Sequence, residues 1–107
     1  MNSRKNDILE MLKEHPNDVF LNYALGLELV SENQLEQAIQ QFQKTIALDE
    51  NYVPAYYQYG LILYENQNKD KALEILSKGL TIATQKKLYK EIAEFKSLIT
   101  NIENDLL

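Results

Sequence analysis

The chain has 107 residues, 45% of them hydrophobic and 25% charged, with a formal net charge of −5. That length suits one domain, and the balance is that of a folded globular protein rather than a disordered one. The lack of cysteine excludes a disulfide framework and a thiol nucleophile, and three Gly and two Pro leave little of the chain for loops.

The opening Met1-Asn2-Ser3-Arg4-Lys5-Asn6-Asp7 holds no apolar leader, and no apolar run approaches the roughly 20 residues of a membrane span. A soluble, cytoplasmic protein without membrane contact is the expectation. Residues 5–14 form the first predicted helix, with Ile8, Leu9, Met11 and Leu12 on its apolar side. After Pro16, Asn17 is placed to cap a helix over 18–31. Phe20, Tyr23, Leu25, Leu27, Leu29 and Val30 nearly encircle that helix, which predicts burial on more than one side. The pattern breaks at Ser31-Glu32-Asn33, where Asn33 with Glu36 reads as a variant capping box. A helix over 34–48 follows, with Leu35, Ala38, Ile39, Phe42, Thr45 and Ile46 in one stripe.

Asn51 then caps a helix over 52–66, with Pro54 in the first turn, where a missing N–H costs nothing. Asn68 caps another over 69–83. The last, over 87–105, carries Leu88, Ile92, Phe95, Ile99, Ile102 and Leu106 in a spacing of 4, 3, 4, 3, 4. That stripe reads as a cap on the preceding helices, and the same spacing also fits a coiled-coil seam.

Sliding the sequence by 34 residues aligns Val19 with Val53, Tyr23 with Tyr57, Gly26 with Gly60, Leu27 with Leu61, Leu29 with Leu63, Ala38 with Ala72 and Lys44 with Lys78. The identities fall where two helices of a hairpin must pack. A mid-helix glycine costs about 1 kcal/mol against alanine, so two in one register point to a contact that excludes even a methyl group.

The pattern resembles the tetratricopeptide repeat, whose signature is W-x2-L-G-x2-Y, then A-x3-F, then P. The first unit reads Asn22-x2-Leu25-Gly26-x2-Leu29 and Ala38-x3-Phe42; the second reads Tyr56-x2-Tyr59-Gly60-x2-Leu63 and Ala72-x3-Leu76. Glu50 and Thr84 replace the closing proline, and Asn22 in the large aromatic slot suggests that the first unit packs more loosely or against a nonstandard neighbour. The resemblance covers residues 19–86. In the same register Ile8 and Pro16 take the F and P positions of a preceding repeat. The resemblance thus implies an all-α solenoid of about six helices in a single domain. Its parts are a half-repeat helix at 5–14, repeats at 19–52 and 53–86, and a capping helix at 87–105.

In that family the first helices of successive pairs line a concave groove. Carried over by position, the groove takes Phe20, Tyr23, Leu27, Val30 and Ser31 from the first unit. The second unit gives Pro54, Tyr57, Gln58, Leu61, Tyr64 and Glu65, and the last helix Leu88, Glu91 and Phe95. Tyr23 and Tyr57, Leu27 and Leu61 recur at positions that core packing does not demand, so a protein or peptide partner bound on an apolar, tyrosine-lined surface is expected. Family members that grip the acidic C-terminus of heat-shock chaperones use Lys and Asn in the groove; here those positions are Tyr23, Leu27, Gln58, Leu88 and Ile92, and that clamp is absent. Cover by the chain's own terminal helices and self-association as a homodimer, through the groove or the 88–106 stripe, are the alternatives.

Nothing in the sequence assembles chemistry. His15 stands alone beside Pro16, and the three glycines at 26, 60 and 79 sit inside helices rather than in a phosphate loop. No Ser or Thr has a His and a carboxylate to work with, so no enzyme activity, metal or cofactor is expected. Residues 1–68 hold four Lys/Arg against ten Asp/Glu, and residues 69–107 seven against six. The acidic part repels phosphate backbones, and Lys86, Lys87 and Lys90 read as a solvated face, so nucleic acid is not an expected partner.

Overall fold

Among residues 3–105, the span described by the computed structural model, six helices follow one another with no strand between them. They divide into two compact units, the first ending at Ala55 and the second starting at Tyr56.

In the first unit α1 runs Arg4–Glu14, α2 Val19–Ser31 and α3 Leu35–Leu48. Ser3 caps α1. Asp18, not Asn17, caps α2, its carboxylate accepting the Leu21 N–H at 2.8 Å. The cap must stand immediately before the first helical residue and reach the third, and with Val19 in first place that geometry falls to Asp18. Asn33 does not cap α3 either. It lies at φ 60°, and the N–H of Gln34 reaches back to the Leu29 carbonyl at 2.8 Å, so Asn33 is used in closing α2. Gln34 precedes α3 without a side-chain cap bond, and Glu36 places its charge in the first turn, against the positive end of the helix.

The α2–α3 hairpin closes on Asn22, Leu25, Gly26 and Leu29 from one side and Ala38, Phe42 and Thr45 from the other. Ala38, Phe42 and Thr45 have no exposed surface. The Thr45 hydroxyl avoids an unpaired burial by donating to the Gln41 carbonyl at 2.8 Å. Gly26 lets the helices meet: a β-carbon there would lie 2.5 Å from the Phe42 ring. Asn22 fills the aromatic slot as a buried polar residue whose side-chain oxygen has no hydrogen-bond partner among the described residues. It is 1% exposed, and its amide nitrogen donates to the carbonyls of Pro16 at 3.0 Å and Asp18 at 2.8 Å. A polar residue in the aromatic slot thus ties down the α1–α2 turn. The fully buried residues of α2 lie on one arc, against α3, while α1 packs on a second side that is half-buried.

α4 (Val53–Glu65), with Pro54 in its first turn, begins in the first unit and continues into the second, where α5 runs Lys69–Gln85 and α6 Tyr89–Glu103. Asn68 caps α5 as expected, accepting the Lys71 N–H at 3.4 Å. Tyr56, Tyr59, Ile62 and Leu63 of α4, Ala72, Ile75, Leu76 and Ala83 of α5, and Phe95, Leu98 and Ile102 of α6 form its core. Burial of a side chain of this size contributes about 1.5–3 kcal/mol. The close approach recurs: a β-carbon on Gly60 would overlap Leu76, and one on Gly79 would stand 2.6 Å from Phe95. The buried edge of α6 is therefore Phe95, Leu98 and Ile102, while Leu88, Ile92 and Ile99 are half-buried and Leu106 lies outside the described residues. With Phe95 and Ile102 spent on the core, α6 has no complete coiled-coil seam to offer.

Three turns close on left-handed residues other than glycine, Asn33, Gln67 and Lys87, and Asp105 follows α6 in the same conformation. The N–H groups of Asn68 and Leu88 repeat the backward bond of Gln34, to Leu63 at 2.8 Å and Ala83 at 3.0 Å.

Candidate functional site

The residues singled out on α2 and α4 are the ones the two hairpins leave open. Leu25, Gly26 and Leu29 are buried, whereas Tyr23, Leu27 and Val30 are half-buried and Phe20 is 62% exposed. Their spacing of 3, 4 and 3 places these four on one face of α2. On α4, Tyr57, Gln58, Leu61 and Tyr64 are half-buried and Glu65 exposed, beside a broad buried arc. Of the flanking positions, Ser31 and Pro54 are exposed, Leu88 and Glu91 half-buried, and Phe95 fully in the core. Phe95 is thus no surface residue.

The tyrosines do more than face outward. Tyr23 leans on Phe42 with ring centroids 5.8 Å apart and meets Tyr52 edge-on at 5.3 Å. Tyr57 meets Phe95 edge-on at 5.5 Å. Core packing does demand aromatic rings at these positions, because each closes the open side of a buried phenylalanine. Both rings are half-buried.

Two hydroxyls are held protonated above the ordinary tyrosine value. Partial burial is the larger cause for Tyr52, with the carboxylates of Asp18 and Asp49 adding to it. For Tyr64 burial again leads, followed by the bond its hydroxyl donates to Asp105 at 3.2 Å, while Lys69 opposes the shift. Lys69 itself reaches Asp105 at 3.3 Å.

Each unit has a depression beside these faces. In the first, a cleft of about 360 Å³ runs between α1 and α2, with Ile8, Met11, Phe20, Ala24 and Leu27 in its walls and Asp7 at its side. Arg4 and Lys5 of α1 bridge to Glu28 and Glu32 of α2 at 2.8 Å each. In the second, a shallower depression of about 480 Å³ lies between Tyr57 and Leu61 on α4 and Ala93, Ser97 and Asn101 on α6. α1 and α6 therefore flank the two faces without sealing them. The sequence pointed to Phe20 and Leu27 but not to Asp7 or Ala24. The signal for the α1 wall was there in Met11, an apolar residue on a short helix with too few partners.

Among the described residues no group of three or more His, Cys, Asp or Glu could hold a metal ion, and no helix is long and apolar enough to cross a membrane. His15 is an exposed residue at the end of α1.

Comparison with known proteins gives the faces a context. A family model described as TPR repeat matches residues 26–67, and one described as Tetratricopeptide repeat matches residues 53–86. A TPR repeat-containing protein of Dictyostelium discoideum is 32% identical over 84 residues, 78% of this chain. The chain spans 32% of that relative's length. Among solved structures, the TPR2B domain of yeast Sti1 in a complex with pHsp70 superimposes with a TM-score of 0.87 at 22% identity, over 94% of this chain and 81% of that one. PcrH, in complex with the chaperone binding region of PopD, superimposes with a TM-score of 0.86 at 13% identity, over 96% and 78%. At these identities the two structures establish a shared fold.

Proposed function

Because the chain belongs to the tetratricopeptide repeat family, we propose that it is a non-enzymatic protein–protein interaction module that receives a polypeptide segment on its apolar first-helix faces. On α2 the contact residues are Phe20, Tyr23, Leu27 and Val30; on α4 they are Tyr57, Gln58, Leu61, Tyr64 and Glu65. The supporting observation is the division of α2 into a buried arc, Asn22, Leu25, Gly26 and Leu29, and an equally apolar arc, Phe20, Tyr23, Leu27 and Val30, that the fold leaves half-buried or exposed. Apolar surface of this kind on a folded chain marks an interaction site more often than an accident.

The chemistry of the faces supports an apolar or amphipathic partner rather than a carboxylate-terminated one. Anchored tyrosines give large contact area at low entropic cost, and their hydroxyls add directional bonds. The Sti1 domain and PcrH have polypeptide partners in their complexes, which supports the same class of ligand here. The Lys and Asn of a carboxylate clamp are replaced by Tyr23, Leu27, Gln58, Leu88 and Ile92.

A peptide-display selection against the full chain tests this. Enrichment of segments with apolar anchors at helical or extended spacing is the expected result. Loss of their binding in Leu27→Lys or Leu61→Lys variants that melt like the parent completes it. Selected segments that bind both variants as well as the parent would place the site elsewhere.

A further inference from the structure

We infer that the cleft between α1 and α2 is the seat of an amphipathic helix supplied by a partner protein, with lysine or arginine along one flank of that helix. This rests on the interaction-module reading and narrows it to one surface and one partner chemistry.

The first argument is register. Arg4, Ile8 and Met11 of α1 stand 34 residues before Ala38, Phe42 and Thr45 of α3. In α3 those three positions have no exposed surface, because a first helix, α2, lies over them with Gly26 against Phe42. In α1 only Ile8 is buried, at 4%; Met11 is 47% exposed and the Arg4 side chain 80%. α1 thus has the register of a second helix, with two of its three counterpart positions open to solvent.

The second is shape. The cleft runs between two helices, and its walls carry residues at helical spacing: Phe20, Ala24 and Leu27 on α2, Ile8 and Met11 on α1. Such walls receive the ridge of a third helix. Neither wall has a strand edge to which an extended peptide could add. Met11 and Phe20, two large exposed apolar side chains, stand on opposite walls of this one cleft.

The third is charge. The charged residues of the cleft lining are Arg4, Asp7 and Glu28; Arg4 and Glu28 pair with each other, which leaves the Asp7 carboxylate in excess, and Glu14 follows two turns along the same side of α1. Nearby bases are already engaged: Arg4 with Glu28, Lys5 with Glu32 and Lys13 with Glu10. An uncharged or acidic helix in the cleft would strip water from Asp7 and give nothing back, whereas a basic flank pairs with it.

The test uses the full chain and a labelled synthetic helix with leucines at i, i+4 and i+7 and lysines along one flank. A twin peptide carries glutamates in place of the lysines, and binding is read by fluorescence anisotropy. The lysine peptide is expected to bind at least about tenfold more tightly than its twin. Ala24→Trp, which fills the cleft, should weaken it by a similar factor, and Ser77→Ala, at an exposed α5 position away from every contact residue, should leave it unchanged. Asp7→Lys should reverse the order of the two peptides, a change that general loss of packing cannot produce. Melting curves show which variants are folded; if Ala24→Trp is not, Phe20→Lys, at a 62% exposed position, takes its place.

Equal binding of the twins, or no response to Asp7→Lys, overturns the charge assignment and with it the proposal. Binding that survives the cleft variants but fails in Leu61→Lys overturns the cleft and leaves the interaction-module reading standing. Self-association in sedimentation that Ala24→Trp abolishes would give the cleft to a second copy and overturn the partner. Failure of both peptides, while display-selected segments bind, overturns the cleft proposal alone.

Discussion

Replacing Gly26 with alanine adds one methyl group, and two opposed effects set the sign of the result. In a helix interior alanine is favoured over glycine by about 1 kcal/mol. Against this, the new β-carbon would lie 2.5, 2.9 and 3.0 Å from three atoms of the Phe42 ring. Carbon atoms rest at about 3.5–4.0 Å, so a ring with no exposed surface must withdraw by about 1 Å. Overpacking of that kind costs about 1–3 kcal/mol, leaving a net loss of about 1 kcal/mol, or a Tm lower by about 4–8 °C for a chain of this size. In a Phe42→Ala background the obstruction is gone, and the same substitution should stabilise by about 1 kcal/mol. Urea unfolding followed by far-UV circular dichroism, run on all four members of the cycle, measures both numbers. If alanine at 26 stabilises both backgrounds equally, the helices do not meet where the repeat register puts them.

Three further outcomes follow from the packing. Asn22→Asp would aim a carboxylate at the carbonyls that Asn22 now donates to; a loss of about 3 kcal/mol is expected at neutral pH, shrinking as pH falls from about 6 and gone below about 4, where the carboxyl is protonated in folded and unfolded chain alike, and an equal loss in denaturation at about pH 7 and about pH 4 would refute it. The raised Tyr52 and Tyr64 values mean that the folded chain holds those protons more tightly. That contribution to stability is fully present below about pH 10 and is lost as pH rises through the folded values. Ultraviolet titration should show Tyr64 moving to lower pH in Asp105→Asn, and an unmoved curve would remove the bond from the argument. Tyr57→Ala should lower the melting temperature through loss of the Phe95 contact, worth about 0.5–1.5 kcal/mol, while Leu61→Lys at its half-buried site keeps the fold; equal melting of the two would mean Tyr57 is no core anchor.

The 34-residue register was legible because Gly26 and Gly60, Ala38 and Ala72 answer a steric need that few residue types can meet. Cap positions were less so. Asn17 and Asp18 are both able to cap, and only the observed start of α2 at Val19 chooses between them. Asn33 can start a helix or end one, and the backward bond of Gln34 decides for the end. Residue type could not tell Leu25 from Leu27 on α2; only the repeat register separated them, and the position of α3 agrees, with Leu25 buried and Leu27 half-buried. The α6 stripe slid to Leu98 for a similar reason, its buried edge being set by α5 and Gly79 rather than by its own spacing. The tyrosine faces were legible as apolar, but the role of the rings in packing needed the distances to Phe42 and Phe95.

The left-handed turn residues have a consequence for how far this chain could still be improved. Gln67 and Lys87, at φ 63° and 57°, occupy a conformation that costs a residue with a β-carbon roughly 1–2 kcal/mol and glycine almost nothing. Their solvent-exposed side chains make no counterbalancing core contact. Glycine at either position should raise the urea midpoint, offset in part by the freer unfolded chain, and a lowered midpoint would show that the turns are not strained. Stability is thus left unused at two surface turns, as expected of a chain selected to remain above a threshold rather than at its optimum. The same reserve is open to engineering that stays clear of the proposed contact faces.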